Sequence, residues 1–169
     1  MEKLFHSKNN GFAIVEALIS VGIAASLVVT FTTFISKNIK VNYANTKEVK
    51  ANFYLQELIE VARDLEQSDW SEITAPLCAS PNICHTASSL GAWQFLAGAE
   101  NLENKSYSRS VTIEDVYRSV STFPNTIVDS TIPGAVLDPN TKKITATISW
   151  YDGFQNRSST LETYVYQMP

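Results

Sequence analysis

Residues 12–35 read FAIVEALISVGIAASLVVTFTTFI, without a lysine, arginine, aspartate or proline and with Glu16 as the only charge. No other feature constrains the chain as strongly. As a helix the run rises about 36 Å at 1.5 Å per residue, enough to cross a hydrocarbon core of about 30 Å. A secretory signal is the rival reading, with a small-residue cut near residues 22–26. The apolar part of such signals spans only about 7–15 residues, however. A fully buried soluble helix would be unusually long at this length. The run reads best as a retained membrane helix.

Its flanks give a conflicting orientation. Lys3 and Lys8 precede the run, whereas Lys37, Lys40, Lys47 and Lys50 follow it. Counted alone, these cations would leave the C-terminal part in the cytoplasm. The net charge of −4 provides no electrostatic footprint for nonspecific nucleic-acid binding.

Glu16 needs its own account. A carboxylate in hydrocarbon is costly without a partner or a neutralising proton, and the run holds no cation to supply one. Because Glu16 lies near the start of the run, it could instead sit at the interface and reach water. Its sequence setting favours a more specific role. A short leader with Lys3 and Lys8 ends in Gly11, Phe12 follows, and Glu16 is the fifth residue after the Gly11-Phe12 bond.

This arrangement resembles the start of type IV prepilins and the related pseudopilins, a likeness covering about 25 residues. The resemblance implies that a prepilin peptidase/methyltransferase cuts after Gly11 and methylates the new amino group of Phe12. The helix would be kept, and Glu16 would pair with the freed amine of Phe12 on a neighbouring subunit during assembly. It also implies a cytoplasmic leader and an external C-terminal domain, against the lysine count, and the motif is given precedence. Ala13 and Ile14 stand where threonine and leucine are frequent in the family. The run also lacks the proline that often breaks the helix of major pilins, which points to a minor pilin or pseudopilin.

Downstream, no helix breaker occurs before Pro76, so the helix is expected to run to about Gln67. Ala51, Tyr54, Leu55, Leu58, Val61, Ala62 and Leu65 recur at three- and four-residue spacing along one face. Gln56, Glu57, Glu60, Arg63, Asp64 and Gln67 lie opposite, with Phe53 and Ile59 off the stripe, free to touch neighbouring subunits. The stripe requires a covering layer, and three strand signals can supply one. YSRSVTI alternates Tyr107, Arg109, Val111 and Ile113 with serine and threonine. KKITATISWYDG alternates Ile144, Ala146, Ile148 and Trp150 with polar residues and ends in an Asp152-Gly153 turn. SSTLETYVYQ then places Leu161, Thr163 and Val165 on one face, giving a hairpin with a loop of a few residues.

The expected fold is therefore α+β, a long N-terminal α-helix packed against an antiparallel β-sheet, which is also the pilin architecture. Its divisions are a leader (1–11), a transmembrane or filament-core helix (12–36), an amphipathic continuation (37–67) and an exported sheet domain (68–169). The final hairpin, SWYDG followed by LETYVY, resembles the ending of PilV-type minor pilins.

Cys78 and Cys84 enclose ASPNI, and in an exported domain they favour a disulfide; two free thiols are the alternative. His85 beside them raises a metal site, but three clustered ligands fall short of a closed zinc site. Asp138-Pro139-Asn140 reads as a turn, with calcium ligation as the lesser reading. Trp93, Phe95, Tyr107 and Trp150 read as packing residues rather than as nucleobase platforms. His85 stands without the setting of a nucleophile elbow.

The sequence is thus expected to encode no enzyme and to need no cofactor and no metal. Its partners are expected to be the peptidase, other pilin or pseudopilin subunits and the lipid of the cytoplasmic membrane before assembly, with a cell-surface or periplasmic filament afterwards. Two readings compete: an unprocessed single-span receptor or adhesin, and a membrane-anchored hydrolase resting on His85.

Overall fold

A computed structural model describes residues 10–89, 91–120 and 126–167. Helix α1 (Asn10–Ser68) leads into a short α2 (Trp70–Thr74) and a 3-10 turn (Pro76–Cys78). Seven strands follow: β1 (Cys84–Ser89), β2 (Ala92–Ala97), β3 (Glu100–Leu102), β4 (Tyr107–Ser119), β5 (Ile127–Val128), β6 (Ala135–Tyr151) and β7 (Asn156–Tyr166). The chain divides into two compact units between Ala44 and Asn45, so α1 contributes to both.

In the first unit every described residue from 12 to 43 is exposed. In the second, residues 45–68 of α1 pack on a seven-stranded antiparallel sheet ordered β2-β1-β4-β6-β7, with β3 and β5 beside β4. The α+β architecture expected from the sequence is the one present, with more strands than the three legible signals.

The apolar stripe is the buried face. Ala51, Leu55, Leu58, Val61, Ala62 and Leu65 are all buried, while Gln56, Glu57, Glu60, Arg63, Asp64 and Gln67 are exposed. Ile59 departs from the expectation of a free contact, being only 4% exposed. It stands four residues after Leu55, one helical turn on, and the sheet is wide enough to cover that flank of the helix. Phe53, at 65% exposure, does lie off the covered face.

Against this face β4 and β6 align Tyr107 with Trp150, Val111 with Ala146 and Ile113 with Ile144, all buried. The two-residue period of each strand sends these side chains to one side. On β7 only Val165 of that face is buried; Leu161 remains 40% exposed, since β7 is an outer strand of the sheet. The β6–β7 hairpin closes through residues 152–155, with Tyr151 opposite Asn156. Buried Asp152 organises this loop, accepting from the Phe154 and Gln155 N–H groups at 2.8 and 2.9 Å and from Arg157 Nε at 2.9 Å.

Asp138-Pro139-Asn140 is not a turn but lies within β6. Register along β4 jumps from Asp115 opposite Lys142 to Val116 opposite Asp138, leaving residues 139–141 as a bulge. Proline, having no N–H to donate, suits such a position. The Asp138 carboxylate accepts from Arg118 Nε at 2.5 Å and from the Thr141 hydroxyl at 2.7 Å. The Arg118 guanidinium foremost, and then the Thr141 hydroxyl, hold it below the ordinary aspartate range.

Arg109 is the one charged residue in the apolar row of β4 and is 4% exposed. Its guanidinium reaches Glu100 at 2.6 Å, Glu57 at 3.1 Å and the Tyr54 carbonyl oxygen at 3.2 Å, and lies 5.8 Å from the Tyr54 ring centre. Burial works against its charge, but the two carboxylates outweigh it and raise the guanidinium above its ordinary value. Nearby, Glu103, Asn104 and Lys105 in the β3–β4 loop take φ of 49°, 54° and 68°. Such left-handed conformations cost a non-glycine residue on the order of 1 kcal/mol or more. Glu103 is held there by Lys50 and by the Tyr54 hydroxyl, at 2.8 Å, both on α1.

Candidate functional site

The apolar run of residues 12–35 forms an uninterrupted part of α1. In length and composition α1 qualifies to cross a membrane, and its apolar window carries no burial within the protein. Side chains such as Phe12 (82% exposed), Leu18, Leu27 and Phe31 project on all sides, so no face is reserved for a protein core.

Four hydroxyls in the run are satisfied by the helix itself. Ser26 donates to the Ile23 carbonyl at 2.8 Å, Thr30 to Ser26 at 2.8 Å, Thr32 to Val28 at 2.9 Å and Thr33 to Thr30 at 2.8 Å. Beyond the run, Ser36 donates to Thr32 at 2.8 Å and Asn38 to Phe34 at 3.0 Å. This back-bonding suits a medium with no water to serve polar groups.

Glu16 contrasts with them. It is exposed in the second turn after Gly11, and among the described residues no lysine or arginine lies within ion-pair range of it. The Gly11-Phe12 bond lies near the start of α1. Lys3, His6 and Lys8, with the rest of residues 1–9, on which the expected leader falls, lie outside the described residues.

The cysteines do come together. Cys78 in the 3-10 turn and Cys84 at the head of β1 form a disulfide with a Cα separation of 5.3 Å, and both are fully buried. The enclosed loop is tied to β4, where Ala79 bridges Ile113 and the Ser80 N–H donates to the Ile113 carbonyl at 3.1 Å. A ring this small stabilises by about 2 kcal/mol on the chain-entropy estimate.

His85 does not assemble a reactive or metal centre with it. Its Nδ1–H donates to the Gly98 carbonyl at 3.0 Å, and among the described residues no three histidine, cysteine or acidic side chains are grouped to hold a metal. Phe95, Tyr107 and Trp150 are buried in the core, which removes them as stacking platforms. Nothing in the sequence pattern announced the Arg109 ion pairs, because Glu57 and Glu100 are supplied from other elements.

No protein-family model, curated protein or solved structure matches the chain.

Proposed function

We propose that the chain is the precursor of a minor type IV pilin or pseudopilin, a filament subunit with no catalysis of its own. The observation that carries this reading is Glu16, the single charge of residues 12–35, placed five residues after the Gly11-Phe12 bond behind a cationic leader. Cleavage after Gly11 would free the Phe12 amine for methylation, and that amine on one subunit would neutralise Glu16 on the next. Pairing of this kind relieves the cost of a carboxylate in an apolar surround. The helix would anchor the subunit in the cytoplasmic membrane with the sheet domain outside, and would later pack with neighbours in the filament. A buried disulfide fits an oxidising, exported location for that domain.

N-terminal mass spectrometry of membrane and sheared-filament fractions tests the proposal. A chain beginning at Phe12 with one added methyl group is the expected result, and a chain beginning at Met1 in cells with an active prepilin peptidase would overturn it. The lysines support one competing reading, an unprocessed single-span protein whose C-terminal part stays in the cytoplasm. Lys37, Lys40, Lys47 and Lys50 follow the run, and only Lys3 and Lys8 precede it. On that reading Gly11→Ala would change neither the mature mass nor the location.

A further inference from the structure

The edge of β4 that faces away from β6 is covered piecemeal. β3 pairs with residues 107–109, Cys84 of β1 stands opposite Val111, Ala79 bridges Ile113, and β5 pairs with Tyr117 and Arg118. Between Ile113 and Tyr117, among the described residues, no strand lies beside this edge, and the β6 bulge lies opposite the same stretch. A cleft of about 720 Å³ opens there, bordered by Ala79 and Ser80 on one side and Ile127 and Val128 on the other.

Its dimensions limit the occupant. At about 3.3 Å per residue the uncovered edge is about 13 Å long. Neighbours close both ends, so an added strand could not run through. The volume instead lies within the range of small-molecule sites, about 300–1,000 Å³.

Its chemistry limits the occupant further. The charged groups of the lining arrive already engaged. Lys142 pairs with Asp115; Lys143 reaches Glu114 at 3.5 Å and Glu162 at 2.9 Å; Asp129 accepts from the Thr131 N–H at 2.9 Å and hydroxyl at 2.7 Å. Among the described lining residues both lysines are paired with carboxylates, and Asp129 is the one carboxylate held by neutral donors alone. Each lysine–carboxylate pair presents a donor beside an acceptor, the pattern that adjacent sugar hydroxyls complete: one hydroxyl donates to the carboxylate and its neighbour accepts from the ammonium. Tyr164, 47% exposed, stands opposite Lys143, which in turn stands opposite Glu114, so ring and ion pair share one face of the sheet.

We propose that this cleft binds a neutral mono- or disaccharide, with the Tyr164 ring against the sugar face and the Lys143–Glu114 pair, on the same face of the sheet, bonded to its hydroxyls. The proposal does not depend on assembly into a filament, since an unprocessed membrane-anchored chain would carry the same cleft.

The full chain is tested in zwitterionic phosphocholine micelles, because a maltoside detergent would itself present a disaccharide. Saturation-transfer NMR is run against a panel of neutral mono- and disaccharides, with N-acetylneuraminic acid and trialanine for comparison. Transfer to at least one neutral sugar is expected. It should weaken at least tenfold in Tyr164→Ala and persist in Tyr164→Phe, which keeps the ring. It should also persist in Tyr151→Ala, which removes an exposed tyrosine outside the cleft. Transfer to no neutral sugar, equal transfer in Tyr164→Ala, or transfer to trialanine or N-acetylneuraminic acid alone would each overturn the proposal. The last outcome would reassign the cleft to a peptide or an anion.

Discussion

Residues 12–43 and 45–68 belong to the same α-helix, yet they solve the problem of apolar surface in opposite ways. The earlier stretch is apolar around most of its circumference, and the protein covers none of it. The later stretch gathers its apolar residues on one face, and the sheet buries that face down to Ala51, Leu58 and Ala62 at 0% exposure. Backbone hydrogen bonding is the same in both. What differs is the angular distribution of side chains, and with it the medium each stretch requires.

The sharpest way to break this comparison is to truncate one leucine in each stretch. Leu58→Ala removes a fully buried side chain and should cost the sheet domain about 3–5 kcal/mol. Leu27→Ala, at 63% exposure, should leave the same unfolding transition where it was. Thermal melts of the full chain in micelles, followed by near-ultraviolet circular dichroism, distinguish the two. Equal shifts would mean that the stretches do not differ as described.

A smaller effect is expected from Arg109→Leu. The change removes the guanidinium from between Glu57 and Glu100 and should cost about 3 kcal/mol, read as a lower urea midpoint. That is the low end for breaking a buried pair, because Glu57 is 47% and Glu100 28% exposed and both can regain water. An unchanged midpoint would show that the apolar row of β4 alone fixes the helix on the sheet.

Acid should have the smallest effect, again confined to the later stretch and its sheet. Lys50, followed by the Tyr54 hydroxyl, depresses Glu103; Arg118 depresses Asp138; Arg157 and the loop N–H groups depress Asp152. A lowered folded value means that stabilisation is complete above the unfolded carboxylate value of about 4 and is lost as pH falls through the folded values. The domain melting temperature should therefore stay level from neutrality to about pH 5 and decline below about pH 4. Helical circular dichroism from residues 12–43 should not change over that interval. Early loss of the domain near pH 6 would point to a different titrating group.

Sequence periodicity made both halves of α1 legible, along with β4, β6 and the hairpin to β7, because each is long enough for its period to repeat. Strands β1, β2 and β3 are short, and CHTASS, AWQFLA and ENL carry no sustained alternation. Pro139 was misleading for a physical reason: proline marks bulges as well as turns, and only the register of β4 against β6 distinguishes them. Arg109 could be placed on the inner face by alternation, but its partners come from 52 residues before it and from a separate strand. Glu16 was legible by contrast with its neighbours. The cleft beside β4 was not, since its walls come from segments far apart in the chain.

The β6–β7 hairpin also governs when the fold can form. β6 pairs with the central β4, β7 pairs with β6, and the Tyr166 N–H donates to Glu66 across a separation of 100 residues. The face of α1 carrying Leu58 and Leu65 is thus made early, while Ile144, Ile148 and Val165, which cover it, are made only after β1 to β5. Closing so long a loop is slow compared with forming a helix. During synthesis the chain must carry an uncovered apolar helix face until β6 and β7 have emerged. Its exposure to misassociation is therefore set by the timing of β7, however stable the finished domain is.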